Sequence, residues 1–230
     1  MKRHIKIKYS PVLGPTNDCI PIHIISAEQV ARTDFSVGNA EDVAIGVAFC
    51  YNQLELTGGK AMEKGRIIFL NGVTSAGKTS IVEALQERGD VFFYVVANDL
   101  FQEMVGEKYL RKNYWRYLSE VILFMYHTAK LYSDMGKNVL IDGILVEREE
   151  ITPHYRQLLD ILKENPLDIV EVYCPLELCR QRNLIRGDRY EQQSEEQAAL
   201  MAKDIRYQLR VDTAVYSSAE CAEQIIRALF

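Results

Sequence analysis

Residues 66–79 read Arg66-Ile-Ile-Phe-Leu-Asn71-Gly72-Val-Thr-Ser-Ala-Gly77-Lys78-Thr79, an apolar run followed by a glycine-rich turn. The apolar run predicts a buried parallel strand, and the turn fits the Gly-x-x-x-x-Gly-Lys-Thr phosphate loop. Residues 80–88 then form an amphipathic pattern, which completes the strand, loop and helix that this motif requires. A chance glycine-rich turn would not need such neighbours, so the stretch predicts a nucleotide-binding domain.

The residue types of the loop suit a nucleoside triphosphate. Glycines let backbone N–H groups turn inward, and the helix that opens at Lys78 adds the positive end of its dipole. Lys78 would reach the β- and γ-phosphates of ATP, and the Thr79 hydroxyl would bind Mg²⁺. The predicted nucleotide-binding residues of this stretch are Gly72, Thr74, Ser75, Ala76, Gly77, Lys78, Thr79 and Ser80.

Composition limits the other classes of function. The chain has 230 residues, 48% of them apolar, which is enough for a full core. A formal charge of −5 gives no overall reason to bind nucleic acid or anionic membranes. The longest apolar stretch, residues 43–51, is far shorter than the roughly 18 residues that span a bilayer. We therefore expect a cytoplasmic protein with no nucleic-acid or membrane partner.

The cysteines and histidines show no metal-ligand spacing. The five cysteines are odd in number and widely spread, which predicts small buried thiols in a reducing compartment. They are Cys19, Cys50, Cys174, Cys179 and Cys221. The histidines are equally isolated, so we expect no metal to be held by the protein alone.

Strand and helix patterns alternate from residue 65 onward. The predicted strands are 66–71, 91–97, 138–142, 168–174 and 209–212. The predicted helices are 78–88, 99–106, 110–135, 154–164, 176–186, 195–206 and 217–229. This alternation predicts an α/β domain over residues 65–230, in which helices cover both faces of a five-stranded parallel sheet.

Residues 1–64 differ from the rest of the chain. They hold three of the six prolines within their first 21 positions and end in a Gly58-Gly59-Lys60 linker signal. Alternating residues near the start and an apolar run over 43–56 predict an N-terminal α+β extension. The extension either caps the larger domain or offers a surface to a substrate, a dimer or a partner.

Two aspartates follow predicted strands. Asp99 lies beyond the carboxyl end of the strand 91–97, the edge where open α/β sheets bind ligands. It is a candidate base for a substrate hydroxyl, or else an N-cap of the next helix. Asp142 closes the apolar strand 138–142 and is a candidate Mg²⁺ ligand, directly or through water, or else a cap of a turn through Gly143.

Three arginines form a cluster after the fourth predicted strand. Arg182, Arg186 and Arg189 stand at spacings of four and three residues, so a helix reaching Arg186 carries at least the first two on one face. They could form a lid, around residues 182–194, that closes over a triphosphate and excludes water. The alternative is an exposed helix face that pairs with nearby glutamates.

Aromatic residues are frequent in the predicted helix 110–135. Their helical spacing favours core packing over a ligand-stacking site. The aromatic residues near the start of this helix could nevertheless line a pocket for a phosphate acceptor.

Five segments together resemble chloramphenicol phosphotransferase and its relatives. They are Asn71 to Thr79, Asn98-Asp99-Leu100, Ile141-Asp142, Arg186-Gly187-Asp188-Arg189 and Val211-Asp212-Thr213. The resemblance covers roughly residues 65–230 and implies a P-loop kinase fold with ATP-dependent phosphorylation of a small-molecule hydroxyl.

The same resemblance implies roles for individual residues. Asp99 matches the catalytic base of the family, and Lys78 and Thr79 match its phosphate and magnesium residues. Arg186 and Arg189 match its lid. Asp212 and Thr213 would lie near the adenine.

Two other functions stay open at the level of the sequence. A kinase of a sugar, nucleotide or nucleotide-sugar, as in zeta-toxin-like proteins, would share this architecture. A non-catalytic nucleotide-binding switch would need the phosphate loop but neither Asp99 nor the arginine cluster.

Overall fold

The structure is a computed structural model that describes residues 63–149 and 151–230. Apart from residues 63 and 64, the predicted N-terminal extension lies outside these ranges, as do Cys19 and Cys50. Cys174, Cys179 and Cys221 are buried free thiols, as predicted. In the part of the chain that is described, no helix is long and apolar enough to cross a membrane.

Strands and helices alternate along the described chain as the sequence predicts. The strands are β1 Ile67–Asn71, β2 Tyr94–Ala97, β3 Val139–Gly143, β4 Leu167–Tyr173 and β5 Leu209–Asp212. The first helices are α1 Lys78–Arg88, α2 Asn98–Gln102, α3 Glu107–Lys112 and α4 Tyr114–Asp134. The others are α5 His154–Ile161, α6 Leu176–Arg186, α7 Gln193–Leu200 and α8 Ser218–Leu229.

The five strands form one parallel sheet in the order β2-β3-β1-β4-β5. The central strand β1 is fully buried, and its residues alternate between the two faces. Ile68 and Leu70 pack in a cluster with α1 and α8, whereas Ile67 and Phe69 pack with α4 and α5. A helical layer on each face therefore confirms the predicted α/β sandwich and buries β1 from both sides.

Some predicted boundaries are wrong. The second strand begins at Tyr94, three residues later than predicted, and the predicted helix 110–135 is broken at Asn113. Asn113 has non-helical dihedrals, and its side chain accepts a hydrogen bond from the Arg116 amide at 3.3 Å, so it caps the start of α4. The capping propensity of asparagine therefore outweighed the continuous helical pattern.

The predicted helix 195–206 ends at Leu200, because the next residues pair with the chain that follows β3. Val146 forms an antiparallel bridge with Met201, and the Ala202 amide donates to the Leu145 carbonyl at 2.9 Å. Tertiary pairing therefore replaces the last turns that the local pattern favoured. The segment 201–208 that results lies beside the carboxyl end of β1.

The buried histidine at the start of α5 predicts a pH dependence of stability. His154 has no exposed surface, its Nε2 lies 3.3 Å from the Ser119 hydroxyl, and burial lowers its pKa from 6.5 to about 4. Between these two pKa values, the unfolded chain therefore binds a proton at His154 that the folded chain does not bind. The folded state should lose about 3 kcal/mol through this group as the pH falls from about 6.5 to about 4. Chemical denaturation across this pH range measures the loss.

The His154→Gln variant should lack this component and show a shallower decline in the free energy of unfolding. The matched control is His127→Gln, which changes an exposed histidine on α4 and should follow the wild-type curve. A His154→Gln variant with the wild-type pH dependence would contradict the assignment.

Candidate active site

The turn from β1 into the phosphate loop has no space for a side chain at Gly72. A Cβ at Gly72 would lie 2.6 Å from the Val172 carbonyl oxygen, so only glycine lets β1 end this close to β4. Further along the loop, Ser75 and Gly77 adopt left-handed conformations with φ of 57° and 101°. Such alternation of backbone conformation turns successive amides toward one side and forms an anion-binding concavity. Helix α1 begins at Lys78 and directs its positive end into the same space.

Lys78, Thr79 and Asp142 meet at the mouth of this loop. The Lys78 ammonium donates to the Gly72 and Val73 carbonyls at 2.9 and 3.0 Å and lies 3.9 Å from an Asp142 oxygen. The Thr79 hydroxyl donates to the other Asp142 oxygen at 3.0 Å. Asp142 therefore contacts the loop residues and does not act as the turn cap that was its alternative role.

Burial lowers the pKa of Lys78, and the charges of Asp142 and Asp99 oppose that effect. Its side chain is only 13% exposed, and the Asp142 side chain is 14% exposed. An ammonium group in such a place interacts strongly with any anion that replaces the loop carbonyls. The site therefore has its main positive charge where the motif predicted it.

Arg182 and Thr213 hold the loop by its backbone carbonyls. The Arg182 guanidinium donates to the Ser75 carbonyl at 3.3 Å and to the Thr213 hydroxyl and carbonyl at 3.0 and 2.9 Å. The Thr213 hydroxyl donates in turn to the Ala76 carbonyl at 2.7 Å. These bonds hold loop carbonyls outward, which leaves the amides to face the cavity.

Asp99 also contacts the arginine segment, which is the name used here for residues 182–194. Asp99 lies in the first turn of α2, and an oxygen of its carboxylate is 3.2 Å from Arg189 Nη2. Ala97 is the N-cap of α2 and the cap makes no side-chain hydrogen bond, so Asp99 does not have the capping role that was its alternative. Arg186 pairs instead with Asp188, at 3.2 and 3.3 Å.

One cavity of about 910 Å³ unites these groups. Its polar and charged lining includes the phosphate loop, the start of α1, Asp99, Asp142 and the three arginines. Its apolar lining, called the apolar wall below, is formed by Leu100, Tyr114, Trp115, Leu118, Ile122, Ile144, Val146 and Leu200. Tyr114 and Trp115, at the start of α4, thus line the cavity. Deeper in the helix, Tyr126 is buried in the core, whereas Phe124 is exposed and does not have the predicted packing role.

Three predicted site residues do not line this cavity. Gly72 and Ala76 belong to the loop but lie beneath its surface. Asp212 is turned away, and its carboxylate accepts a hydrogen bond from the Ala214 amide at 2.9 Å. The neighbouring Thr213 does line the cavity.

Two groups that hold the site together were not predicted from the sequence. Asn71 is fully buried at the end of β1, donates to the Tyr207 hydroxyl at 2.7 Å and accepts from the Leu145 amide at 2.9 Å. It therefore ties the start of the phosphate loop to Tyr207 and to the backbone that follows β3. Helix α7 also contacts the loop, through Ser194 and Gln197. The role of Asn71 could have been suspected from the sequence, because a polar residue ends an otherwise wholly apolar strand.

Such a sheet, with a phosphate loop after its central strand and a cavity at that edge, defines a P-loop kinase. The chain matches the family described as chloramphenicol phosphotransferase-like protein over residues 65–229. It therefore belongs to the chloramphenicol phosphotransferase-like family and is an enzyme of the kinase class. This membership excludes the non-catalytic switch that the sequence left open.

Individual relatives agree with this assignment. A Mycobacterium tuberculosis protein named "Putative O-phosphotransferase" is 27% identical over 188 residues, covering 71% of this chain and 82% of that protein. The APS kinase of M. tuberculosis has a TM-score of 0.54 at 19% identity, over 72% of this chain and 98% of that one. Shikimate kinase of Acinetobacter baumannii has a TM-score of 0.52 at 16% identity, over 73% and 94%. The two structures share the fold with this chain.

The close approach at Gly72 predicts that an added methyl group weakens nucleotide binding. In Gly72→Ala the Cβ would collide with the backbone of β4, which cannot move as a side chain can, so the loop must shift. We expect the Kd for ATP, measured by calorimetry, to rise at least about tenfold, equivalent to ~1.4 kcal/mol.

Gly89→Ala is the matched control. Gly89 has a φ of 72° at the end of α1 but has open space around its Cβ position. The control should lose about 1 kcal/mol of folding stability without a change in the Kd for ATP. Equal ATP affinities in the two variants would show that the contact at Gly72 does not set the loop.

Proposed function

We propose that this chain transfers the γ-phosphoryl group of ATP to a hydroxyl group of a small molecule, by direct in-line displacement and without a phosphoenzyme. The observation that carries this proposal is the single cavity in which the phosphate loop and Asp99 face the same space. A phosphate donor bound at the loop and an acceptor bound against the apolar wall would meet between them. Proximity of this kind is the main source of catalysis in phosphoryl transfer.

On the donor side, the loop amides and Lys78 would hold the phosphates. Among the described residues, His, Cys, Asp and Glu form no group of three that could hold a metal ion. The Thr79 hydroxyl and the Asp142 carboxylate, 3.0 Å apart, are oxygen ligands that suit Mg²⁺ completed by phosphate oxygens and water. When bound there, Mg²⁺ would supply neutralising charge to the transferring group.

On the acceptor side, Asp99 would take the proton of the attacking hydroxyl. The acceptor oxygen forms a bond to the γ-phosphorus as the bond from that phosphorus to the β–γ bridging oxygen breaks, and ADP leaves. Asp99 must first part from Arg189, which would then turn toward the phosphates with Arg186 and stabilise the charge that develops. The 74% exposure of the Asp99 side chain leaves room for this exchange.

The wall of the cavity favours an acceptor with an aromatic or otherwise apolar body. Leu100, Tyr114 and Trp115 offer exposed apolar surface, whereas a sugar or nucleotide would need several paired polar groups. Burial, with the nearby Asp99 charge, raises the pKa of Tyr114, so its hydroxyl stays a neutral donor at the edge of this wall. An apolar alcohol is therefore favoured over the sugar, nucleotide or nucleotide-sugar of the alternative.

Incubation with ATP and separate panels of aromatic alcohols, sugars and nucleosides tests the acceptor class. Mass spectrometry should detect a phosphoryl mass gain in the panel of aromatic alcohols. A gain confined to sugars or nucleosides would support the alternative kinase, and a gain in no panel, with antibiotics and a metabolite extract included, would oppose the proposal.

Asp99→Asn should lower kcat by about 10²–10⁴-fold, because the amide cannot accept the proton. Affinity for ATP should stay the same or tighten by up to about fivefold, because Arg189 is released from an exposed ion pair worth ~0–1 kcal/mol. Kinetics and calorimetry measure the two effects separately. Glu103→Gln, which changes an exposed carboxylate beside α2, is the control and should keep the wild-type kcat. Unchanged turnover in Asp99→Asn would remove Asp99 from the mechanism.

Lys78→Ala should weaken phosphate binding and catalysis together. ATP should raise the Tm of the wild type but hardly that of the variant, since a buried ammonium is lost from the phosphate site. Lys108→Ala, at an exposed position of α3, should keep the full ATP-dependent rise. Equal thermal protection of Lys78→Ala and the wild type would contradict the role of Lys78.

A further inference from the structure

Helix α7 holds one residue of the phosphate loop by both of its backbone groups. The Thr74 amide donates to the Gln197 side-chain oxygen at 2.6 Å. The Ser194 hydroxyl donates to the Thr74 carbonyl at 3.2 Å. Ser194 and Gln197 are three residues apart and therefore lie on one face of the helix. Two side chains of a single helix thus fix the orientation of the loop at Thr74.

The Ser194 contact is buried and is itself oriented. Ser194 and Asn183 have no exposed surface. The Asn183 amide group donates to the Ser194 hydroxyl at 2.9 Å and to the Glu191 carbonyl at 3.2 Å. Because the hydroxyl accepts from Asn183, its own proton is free to point to Thr74. These hydrogen bonds restrict the orientation of the Ser194 hydroxyl, while the Asn183 Oδ1 is buried without a hydrogen-bond partner.

The network also encloses the arginine segment. Arg186 and Arg189 lie between Asn183 and Ser194 in the chain, and the bond between these two residues joins the ends of the segment. Both ends are therefore tied to the phosphate loop through Thr74. Movement of the arginines toward a triphosphate would take place between two fixed points.

The position of Thr74 matters because the next residue is strained. Ser75 has a φ of 57°, which is unfavourable for a residue with a side chain, and its backbone carbonyl is held by Arg182. A rotation of the Thr74 peptide would change the direction of the amides that follow it. The Thr74 amide itself is committed to Gln197 and the Ala76 amide to the Val73 carbonyl, so the phosphates would be left to the amides of Ser75 and of the residues from Gly77 onward.

We propose that Gln197 and Ser194 are positioning residues, which act through Thr74 to set the phosphate loop and to anchor the arginine segment to it. This inference rests on the proposed binding of a triphosphate by the loop. Neither residue needs to touch the reacting atoms for this role.

The test compares Gln197→Met, which keeps the length of the side chain but loses its hydrogen-bond acceptor, with Gln192→Met, an exposed position just before α7. Calorimetry on the full chain measures Kd values for adenosine, ADP and ATP. In Gln197→Met the values for ADP and ATP should rise about five- to tenfold, the effect of one lost hydrogen bond, while that for adenosine changes less than about twofold. Gln192→Met should match the wild type for all three ligands.

A spectroscopic measurement tests the contact itself. The Thr74 amide proton should give a strongly downfield NMR resonance in the wild type and in Gln192→Met, and should move upfield in Gln197→Met. Ser194→Ala should also weaken ADP binding, and its effect should be less than additive with Gln197→Met, because both side chains act on Thr74.

Three results would overturn the inference. The first two are an unchanged Thr74 resonance in Gln197→Met and wild-type affinity for ADP in that variant. The third is an equal loss of affinity for adenosine and ADP, which would indicate a purely structural role for Gln197. Failure of the proposed function looks different. In that case the wild type itself would bind ADP and ATP no better than adenosine.

Discussion

The approach of β1 to β4 at Gly72 is the constraint on which the rest of the site depends. β1 is buried along its whole length, and its last residue, Asn71, joins it to Tyr207 and to the Leu145 backbone. The chain can turn into the phosphate loop at this point only because no Cβ stands against the Val172 carbonyl. From that turn follow the direction of the amides and the start of α1. The packed core thus determines where the loop begins.

The charged groups of the cavity have hydrogen-bond partners within the protein. Lys78 donates to loop carbonyls, Arg186 pairs with Asp188, and Arg189 pairs with Asp99. Under the proposed function, binding of a polyphosphate at these groups would be an exchange of partners. Since Arg189 holds the expected base, such an exchange would also free Asp99 for the acceptor. The donor would then help to prepare the opposite side of the site.

Local sequence signals predicted the elements that depend on local chemistry. The phosphate loop, its flanking strand and helix, the five parallel strands and the position of Asp142 beside Thr79 all follow from short patterns. The end of α7 at Leu200 and the contact of Gln197 with Thr74 do not, because they depend on chain segments that only folding brings together. The break at Asn113 could have been predicted, since asparagine is a preferred N-cap. The helical pattern on both sides of it instead indicated one continuous helix. The strand order and the apolar wall likewise required tertiary packing.

The short helices α2 and α3 contain no buried residue, in contrast to β1 and α1. Substitutions on their surfaces would consequently cost little folding stability, whereas changes in the phosphate loop or beneath it would be severe. Residues of α2 line the cavity, on the side proposed for the acceptor. Selection could therefore remodel substrate preference through this region over evolutionary time, while the machinery that handles the nucleotide stays intact.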